Sequence, residues 1–545
     1  MIVPTPTRSA SEAAAVGLLI LLLPLAALAA DSATPASKPP PSKTYAEIRV
    51  IDAETGRGVP LVELETVNNL TFVTDNAGRV AFKEPGLMDR EVFFTVRSQG
   101  YEVPKDGFGI AGVRLTPRVG SAAEIKITRR NRAERLCRLT GEGLYRDTLL
   151  LGYAPPVAPS AHPGNVAGQD SVQAALYRGK VYWFWGDTLR MEYPLGLFRT
   201  SGATTPIFNP KDPKSDPAHG IAFDYFVDQK SGFARAMMPL DERPEGVVWI
   251  SAVAVVPDER GYANPKRQRG VKEKLIAHYS RRKGLGDEYE QGIAMFDDEQ
   301  AVFTSAKQLP LDESWRRPTG HPVVFNDQGT RWLMFGSPTP NVRVRATLQS
   351  VLDPTQYEAF TCLKPGGDPT LSEPEIGADG APVWRWQKAL PPLDSKTERK
   401  LVASGKIEPR DARFCPADSE APDERIVLHS GSVRWNEYRK RCVLLAGQIG
   451  GKSSHLGEVW YAEADHPTGP FAVAVRVVTH DRQSFYNVCH HAFLDRDGGR
   501  TIHFEGTYTN EFSGNPHKTP RYNYNQVLYR LDLDLPALRE AQAGK

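Results

Sequence analysis

Val172-Gln173-Ala174-Ala175-Leu176-Tyr177, Arg178-Gly179-Lys180, Val181-Tyr182-Trp183-Phe184-Trp185 is an apolar run, a polar turn with a glycine, and a second apolar run. That is the pattern of a β-hairpin. It returns four times. Residues 247–256 and 274–279 flank a long basic loop. Residues 322–325 and 331–335 flank a turn at 326–330. Residues 432–435 and 442–446 flank 436–440, and residues 488–494 and 501–504 flank 495–499. The copies begin at 172, 247, 322, 432 and 488, about 79 residues apart on average. Each interval has room for four strands and their loops, so residues 144–535 are expected to form a five-bladed β-propeller, with an all-β fold class. The long third interval carries an insertion. Within it, residues 396–403 have helical composition and 416–424 read as loop.

The rest of the composition agrees. The 545 residues include 46 glycines and 44 prolines, too many turn formers for a long helical bundle. A 40% hydrophobic content with 9% aromatics supports a large core. A net charge of +2 gives no field for gripping nucleic acid, and no glycine-rich phosphate loop follows a strand. The basic run Asn264-Pro265-Lys266-Arg267-Gln268-Arg269-Gly270, with Lys272 and Lys274, reads as a solvated loop.

Residues 1–30 read as an export signal. Arg8 is the positive end, residues 17–30 are apolar, and Ala27-Leu28-Ala29 is a small-x-small cleavage site. The run is shorter than the roughly 20 residues that span a bilayer, and Pro24 interrupts it. No membrane span is expected after cleavage. The mature chain is expected in the periplasm, at the cell surface or outside the cell. The five cysteines form no CxxC pair and have no zinc spacing; at most two disulfides are available.

Residues 31–43 are a Pro/Ser-rich linker. From 44 to 131 short alternating runs, such as Ala46-Glu47-Ile48-Arg49-Val50 and Val92-Phe93-Phe94-Thr95-Val96, alternate with turn signals and predict a sandwich of about seven strands. The V-x-D-x-x-T-G-x-x-V-P pattern over 50–60, the T-D-x-x-G turn over 74–78 and Gly100-Tyr101 resemble the carboxypeptidase regulatory-like (transthyretin-like) domain. The resemblance implies an accessory role. Residues 536–545 are read as a C-terminal tail.

In a propeller, polar residues at the start of an inner strand or the end of the next converge on a central funnel. Those places hold Gln169, Asp170 and Asp187 in the first repeat, His321 in the third, and His429 and Gln448 in the fourth. The fifth supplies His490, His491, Glu505 and the nearby Tyr508. Two facing carboxyls, one protonated and one ionised, are what glycoside hydrolysis needs. Asp170 and Asp187 would meet at a hairpin mouth. Asp187 follows Trp183-Phe184-Trp185, whose desolvation would raise its pKa and favour it as the acid. Glu505 is the reserve carboxylate. Gln169, His321, His429, Gln448, His490, His491 and Tyr508 are the expected sugar-binding residues. The imidazoles also have the chemistry to hold a structural metal ion on the axis; no cofactor is required.

Gly168-Gln169-Asp170, followed by Val181-Tyr182-Trp183-Phe184-Trp185-Gly186-Asp187-Thr188, resembles the opening blade of the bacterial propeller family that includes endo-D-arabinanases, glycoside hydrolase family 183. Gly457-Glu458-Val459-Trp460-Tyr461-Ala462-Glu463-Ala464 with Pro467-Thr468-Gly469-Pro470-Phe471 resembles a blade of the wider five-bladed glycosidases, such as families 43 and 32. The first resemblance implies that Asp170 and Asp187 are the catalytic pair. The expectation is an exported glycoside hydrolase acting on a polysaccharide or glycan, with the oligomeric state left open. The alternative is a non-catalytic glycan-binding or surface-assembly propeller on a fold that hosts many functions.

Overall fold

A computed structural model describes residues 42–192, 200–240, 245–259, 272–284, 286–365 and 373–543. The leader, nearly all of the linker and the basic run at 264–270 lie outside the described residues. The described chain is all β, apart from short helices.

The first eight strands form two four-stranded sheets. One joins Ala46–Asp52, Arg79–Phe82, Tyr101–Glu102 and Ala122–Arg129. The other joins Glu63–Thr66, Thr71–Val73, Val92–Arg97 and Gly112–Leu115. Ala46, Ile48 and Val50 are buried while Glu47 and Arg49 are less so, the period of two that a half-covered strand dictates. Ile48, Val50, Leu64, Phe82, Phe94 and Ile125 share one core.

Among the described residues, five further sheets of four or five strands follow in chain order, beside one two-stranded pairing. The first contains Gln173–Tyr177, Lys180–Trp185, Ser201–Pro206 and Asp224–Tyr225. The second contains Val247–Asp258, Lys272–Lys283, Asp287–Asp297 and Val302–Leu309. The third begins with Val323–Asp327, the fourth has Leu428–Asn436 at its edge, and the fifth begins with Ser484–His490.

Their packing runs in a cycle. Tyr177 and Phe184 of the first sheet share a core with Ile250 and Leu275 of the second. Ile276 and Ile293 of the second pack with Leu333 and Phe335 of the third. Phe325 of the third lies against the core of the fourth, around Leu444 and Trp460. Leu445 and Tyr461 of the fourth pack with Phe485 and Phe504 of the fifth. Cys489 and Leu528 of the fifth pack with Val172 and Trp183 of the first. Each sheet is apolar on both faces, because each has a neighbour on both.

The fifth sheet is completed by Glu134–Arg138, through Val527↔Arg138 and Leu528↔Cys137. This strand stands before the expected start at 144. All five of its residues are buried, so it lacks the alternation that marks a strand in sequence. The insertion after the third sheet holds the helix Ser395–Ala403, capped by Asp394, which accepts from the Thr397 N–H at 2.7 Å. The expected C-terminal tail is largely the helix Pro536–Ala543, with Leu538 buried in the core between the fourth and fifth sheets. No helix among the described residues is long and apolar enough to cross a membrane.

Candidate active site

The inner strands of the five sheets meet around one cavity of about 320 Å³. Asp170, Asp187, Trp249, His321, Ser430 and Asn487 are among the residues that line it. Hydrogen bonds tie three of the five junctions together. The Gly320 N–H donates to Ser251 Oγ at 3.1 Å, the Asn487 N–H to Ser430 Oγ at 3.0 Å, and Asn487 Nδ2 to Ser171 Oγ. The backbone is left-handed at Ser171 (φ 56°), Ala252 (φ 53°) and Asn487 (φ 54°). Such conformations in non-glycine residues persist where the surroundings over-determine them.

Asp170 and Asp187 are locked together by the chain itself. Strands Val166–Gln169 and Thr188–Arg190 pair through Gln169↔Thr188. Just beyond, the Asp170 N–H donates to the Asp187 carbonyl at 3.2 Å, and the Gly186 N–H to the Asp170 carbonyl at 2.8 Å. The Asp187 N–H then donates to Asp170 Oδ1 at 2.9 Å. The hydroxyl of Tyr486, from the fifth sheet, donates to Asp170 Oδ2 at 3.1 Å. A Cβ on Gly186 would stand 2.6 Å from Asp170 Oδ1, so glycine is required for this carboxylate to lie where it does.

Asp187 is held differently. Its Oδ1 accepts from Trp249 Nε1 of the second sheet at 2.8 Å. Burial pushes its pKa up to about 7, the charge of Asp170 adds to the rise, the Trp249 bond opposes it, and Glu511 adds a further push. Burial also raises Asp170, against the hydrogen bonds from the Asp187 N–H, Tyr486, Ser171 and Tyr524. Burial raises both carboxyls, and they differ in their partners: Asp170 is anchored by several donors, whereas Asp187, raised to about 7, accepts from Trp249.

The other expected site residues separate. His321 lines the cavity, and its Nδ1 lies 3.4 Å from Cys489 Sγ. His429 is half-buried with Nδ1 3.1 Å from Ser430 Oγ, one residue from the lining. Glu505, expected as a reserve carboxylate, is buried away from the lining; its Oε1 lies 2.6 Å from His491 Nε2. His490 is likewise buried and paired with Asp495 at 3.0 Å. Gln169 is fully buried, donating to Ser201 Oγ at 2.6 Å and accepting from Tyr225 at 2.7 Å. Gln448 accepts from Trp460 Nε1 at 2.8 Å. Tyr508 is core and borders a separate recess that Glu63 and Arg97 also line. Gln169 and Gln448 are thus held by neighbouring side chains, while Glu505 Oε2 and His490 Nδ1 are buried with no hydrogen-bond partner.

Beneath His321 lies a buried chain of charge. Burial pushes the Cys489 thiol up, but the imidazoles of His321 and His491 outweigh it and hold it well below its ordinary range. Burial lowers His491, yet Cys489 and Glu505 together raise it to about 10. All five cysteines are buried free thiols. Among the described residues, no group of three or more His, Cys, Asp or Glu side chains is arranged to hold a metal ion, so the axial ion has no ligand set there.

Sequence reasoning missed Tyr486, Tyr524 and Glu511 as partners of the pair. Tyr486 directly precedes Asn487, which lines the cavity, and that adjacency is the one signal it carries. A larger recess of about 900 Å³ lies where the N-terminal pair of sheets meets the fourth sheet and its loops. Its Arg132 and Arg476 both pair with Glu420, and it has no comparable carboxyl pair.

No family model matches the chain, and no curated protein matches it. Among solved structures, the chain is similar to a Bacteroides ovatus protein at 13% identity, over 68% of this chain and 86% of that one, with a TM-score of 0.38. It is similar to the GH43_1 enzyme from Xanthomonas citri complexed with xylotriose at 12% identity, over 70% and 88%, with a TM-score of 0.32. It is also similar to CoXyl43, a β-xylosidase/α-arabinofuranosidase from a compost microbial metagenome, at 13% identity, over 70% and 93%, with a TM-score of 0.30. At these scores the matches carry no weight for this chain, whose reading rests on its own geometry.

Proposed function

We propose that this chain is an exported glycoside hydrolase. On this reading the five successive sheets are the blades of a five-bladed β-propeller, and the first two sheets are a transthyretin-like accessory sandwich. The observation that supports the activity is the unequal pair. Asp170 is fixed by the Asp187 N–H and Tyr486, while Asp187 is a carboxyl raised to about 7 in an open cavity. Asp187 would give its proton to the glycosidic oxygen as the C–O bond breaks. Asp170 would act as base, taking a proton from the water that adds to the anomeric carbon, or as nucleophile. Trp249 holds the Asp187 carboxyl towards the cavity, and His321, Ser430 and Asn487 present polar atoms to sugar hydroxyls.

The test is reducing-sugar release from arabinans, xylans and galactans by the mature protein, beside an Asp187→Asn control. Release abolished by the control supports the proposal. One observation favours a second reading, a non-catalytic glycan-binding module: both oxygens of Asp170 are already engaged. Under that reading the polymers raise the melting temperature and are not cut.

A further inference from the structure

We infer that the turn bearing Glu511 and Phe512 is an outer sugar-binding subsite of the Asp170–Asp187 cavity and suits it to neutral glycans; this rests on the glycan-directed reading above. Phe512 is 61% exposed and left-handed at φ 62°. A bulky residue in that conformation is an outlier, and one that surrounding bonds must impose. They do so here. Ser484 Oγ donates to the Glu511 carbonyl at 2.5 Å, the Glu511 N–H donates to Thr509 Oγ1 at 3.2 Å, and Ser513 Oγ donates to the Asn510 carbonyl at 2.6 Å. The Asn510 N–H donates to Asn523 Oδ1 at 2.8 Å. The turn is therefore a built feature that holds an apolar ring in water.

The ring stands beside the reacting pair. Its edge meets Tyr486, with centroids 6.2 Å apart and planes at 72°. The hydroxyl of that same Tyr486 donates to Asp170. Phe512 is thus one ring removed from the anchored carboxylate. An exposed aromatic face matches the C–H face of a sugar and removes apolar surface from water on both partners. Glu511, exposed beside it, is close enough for its charge to act on both Asp187 and Tyr486. Glu511 and Asp170 then put two carboxylates beside the Asp187 carboxyl. Like charge at short range repels uronate or sulfate groups, while carboxylate oxygens accept hydrogen bonds from neutral hydroxyls.

Isothermal titration with arabinotetraose, xylotetraose and tetragalacturonate tests this in the Asp187→Asn background, which keeps the sugar intact. One neutral tetrasaccharide should bind at least tenfold more tightly than tetragalacturonate. Adding Phe512→Ala should weaken the neutral ligand about tenfold, Phe512→Trp should restore it, and Glu511→Gln should narrow the gap to tetragalacturonate. Unchanged affinity in Phe512→Ala, a preference for tetragalacturonate, or no binding of any of the three overturns the inference. Its failure is separable from that of the hydrolase. Sugar release by the unmutated protein with an inert Phe512→Ala removes only the subsite. A Phe512-dependent affinity without sugar release removes only the hydrolysis.

Discussion

The backbone N–H of Asp187 donates to the carboxylate of Asp170 at 2.9 Å, so the main chain of one carboxyl residue positions the side chain of the other. The two lie at the ends of one hairpin, and moving either disturbs the other.

Asp187→Asn should lower kcat/KM on the cleaved polymer by about 10²–10⁴-fold, the range of a lost general acid. The substitution keeps an acceptor for Trp249 Nε1, so circular dichroism should be unchanged. Reducing-sugar assays check it.

A carboxyl raised from 3.8 to about 7 binds its proton more tightly folded than unfolded. Stability from this group is therefore present below about pH 4, falls as pH rises to about 7, and is level above. Asp187→Asn should melt higher than the unmutated protein at pH 8 and equally at pH 4. The gain should be about 1–2 kcal/mol after allowance for the partial exposure of the group. Activity of the unmutated protein should decline above about pH 7 as the acid ionises.

Gly186→Ala places a methyl 2.6 Å from Asp170 Oδ1 and must displace that carboxylate from the Asp187 N–H. Activity should fall at least about tenfold with little loss of secondary structure, because misplacement of roughly an ångström is costly in catalysis. Initial rates and far-ultraviolet circular dichroism together separate this from unfolding.

His491→Ala leaves Glu505 buried without its 2.6 Å partner. A stability loss of about 3–5 kcal/mol is expected, read by denaturant unfolding. Glu505→Gln, which keeps an oxygen at the site and removes the charge, should cost less.

The five cysteines should be silent to Ellman's reagent in the native protein, react as five thiols after denaturation, and leave the melting temperature unchanged by reductant. Buried thiols meet neither reagent nor each other.

The hairpins were legible because local periodicity carries them. The run around Tyr177 and Trp185 became the strands Gln173–Tyr177 and Lys180–Trp185, and residues 396–403 fall within the helix Ser395–Ala403. Glu134–Arg138 was hidden, since a strand buried on both faces has no alternation to read. His490, His491 and Glu505 were placed in a sugar site because polar residues at inner-strand positions look alike in sequence. The fold distinguishes them by giving some a buried partner and others a cavity wall.

The sequence by itself determined the main hairpins, that the chain is all β, and that Asp170 and Asp187 fall on one hairpin, because each depends on residues near one another along the chain. Only the tertiary structure decided that Tyr486, 316 residues from Asp170, holds that carboxylate, that Trp249 holds Asp187, and that Glu505 faces His491 instead of the cavity. Tyr486 and Trp249 reach the pair from other sheets, 316 and 62 residues away, and such hydrogen bonds leave no trace in local pattern; His491 and Glu505 are only 14 apart, but which way their side chains face depends on the packing around their sheet.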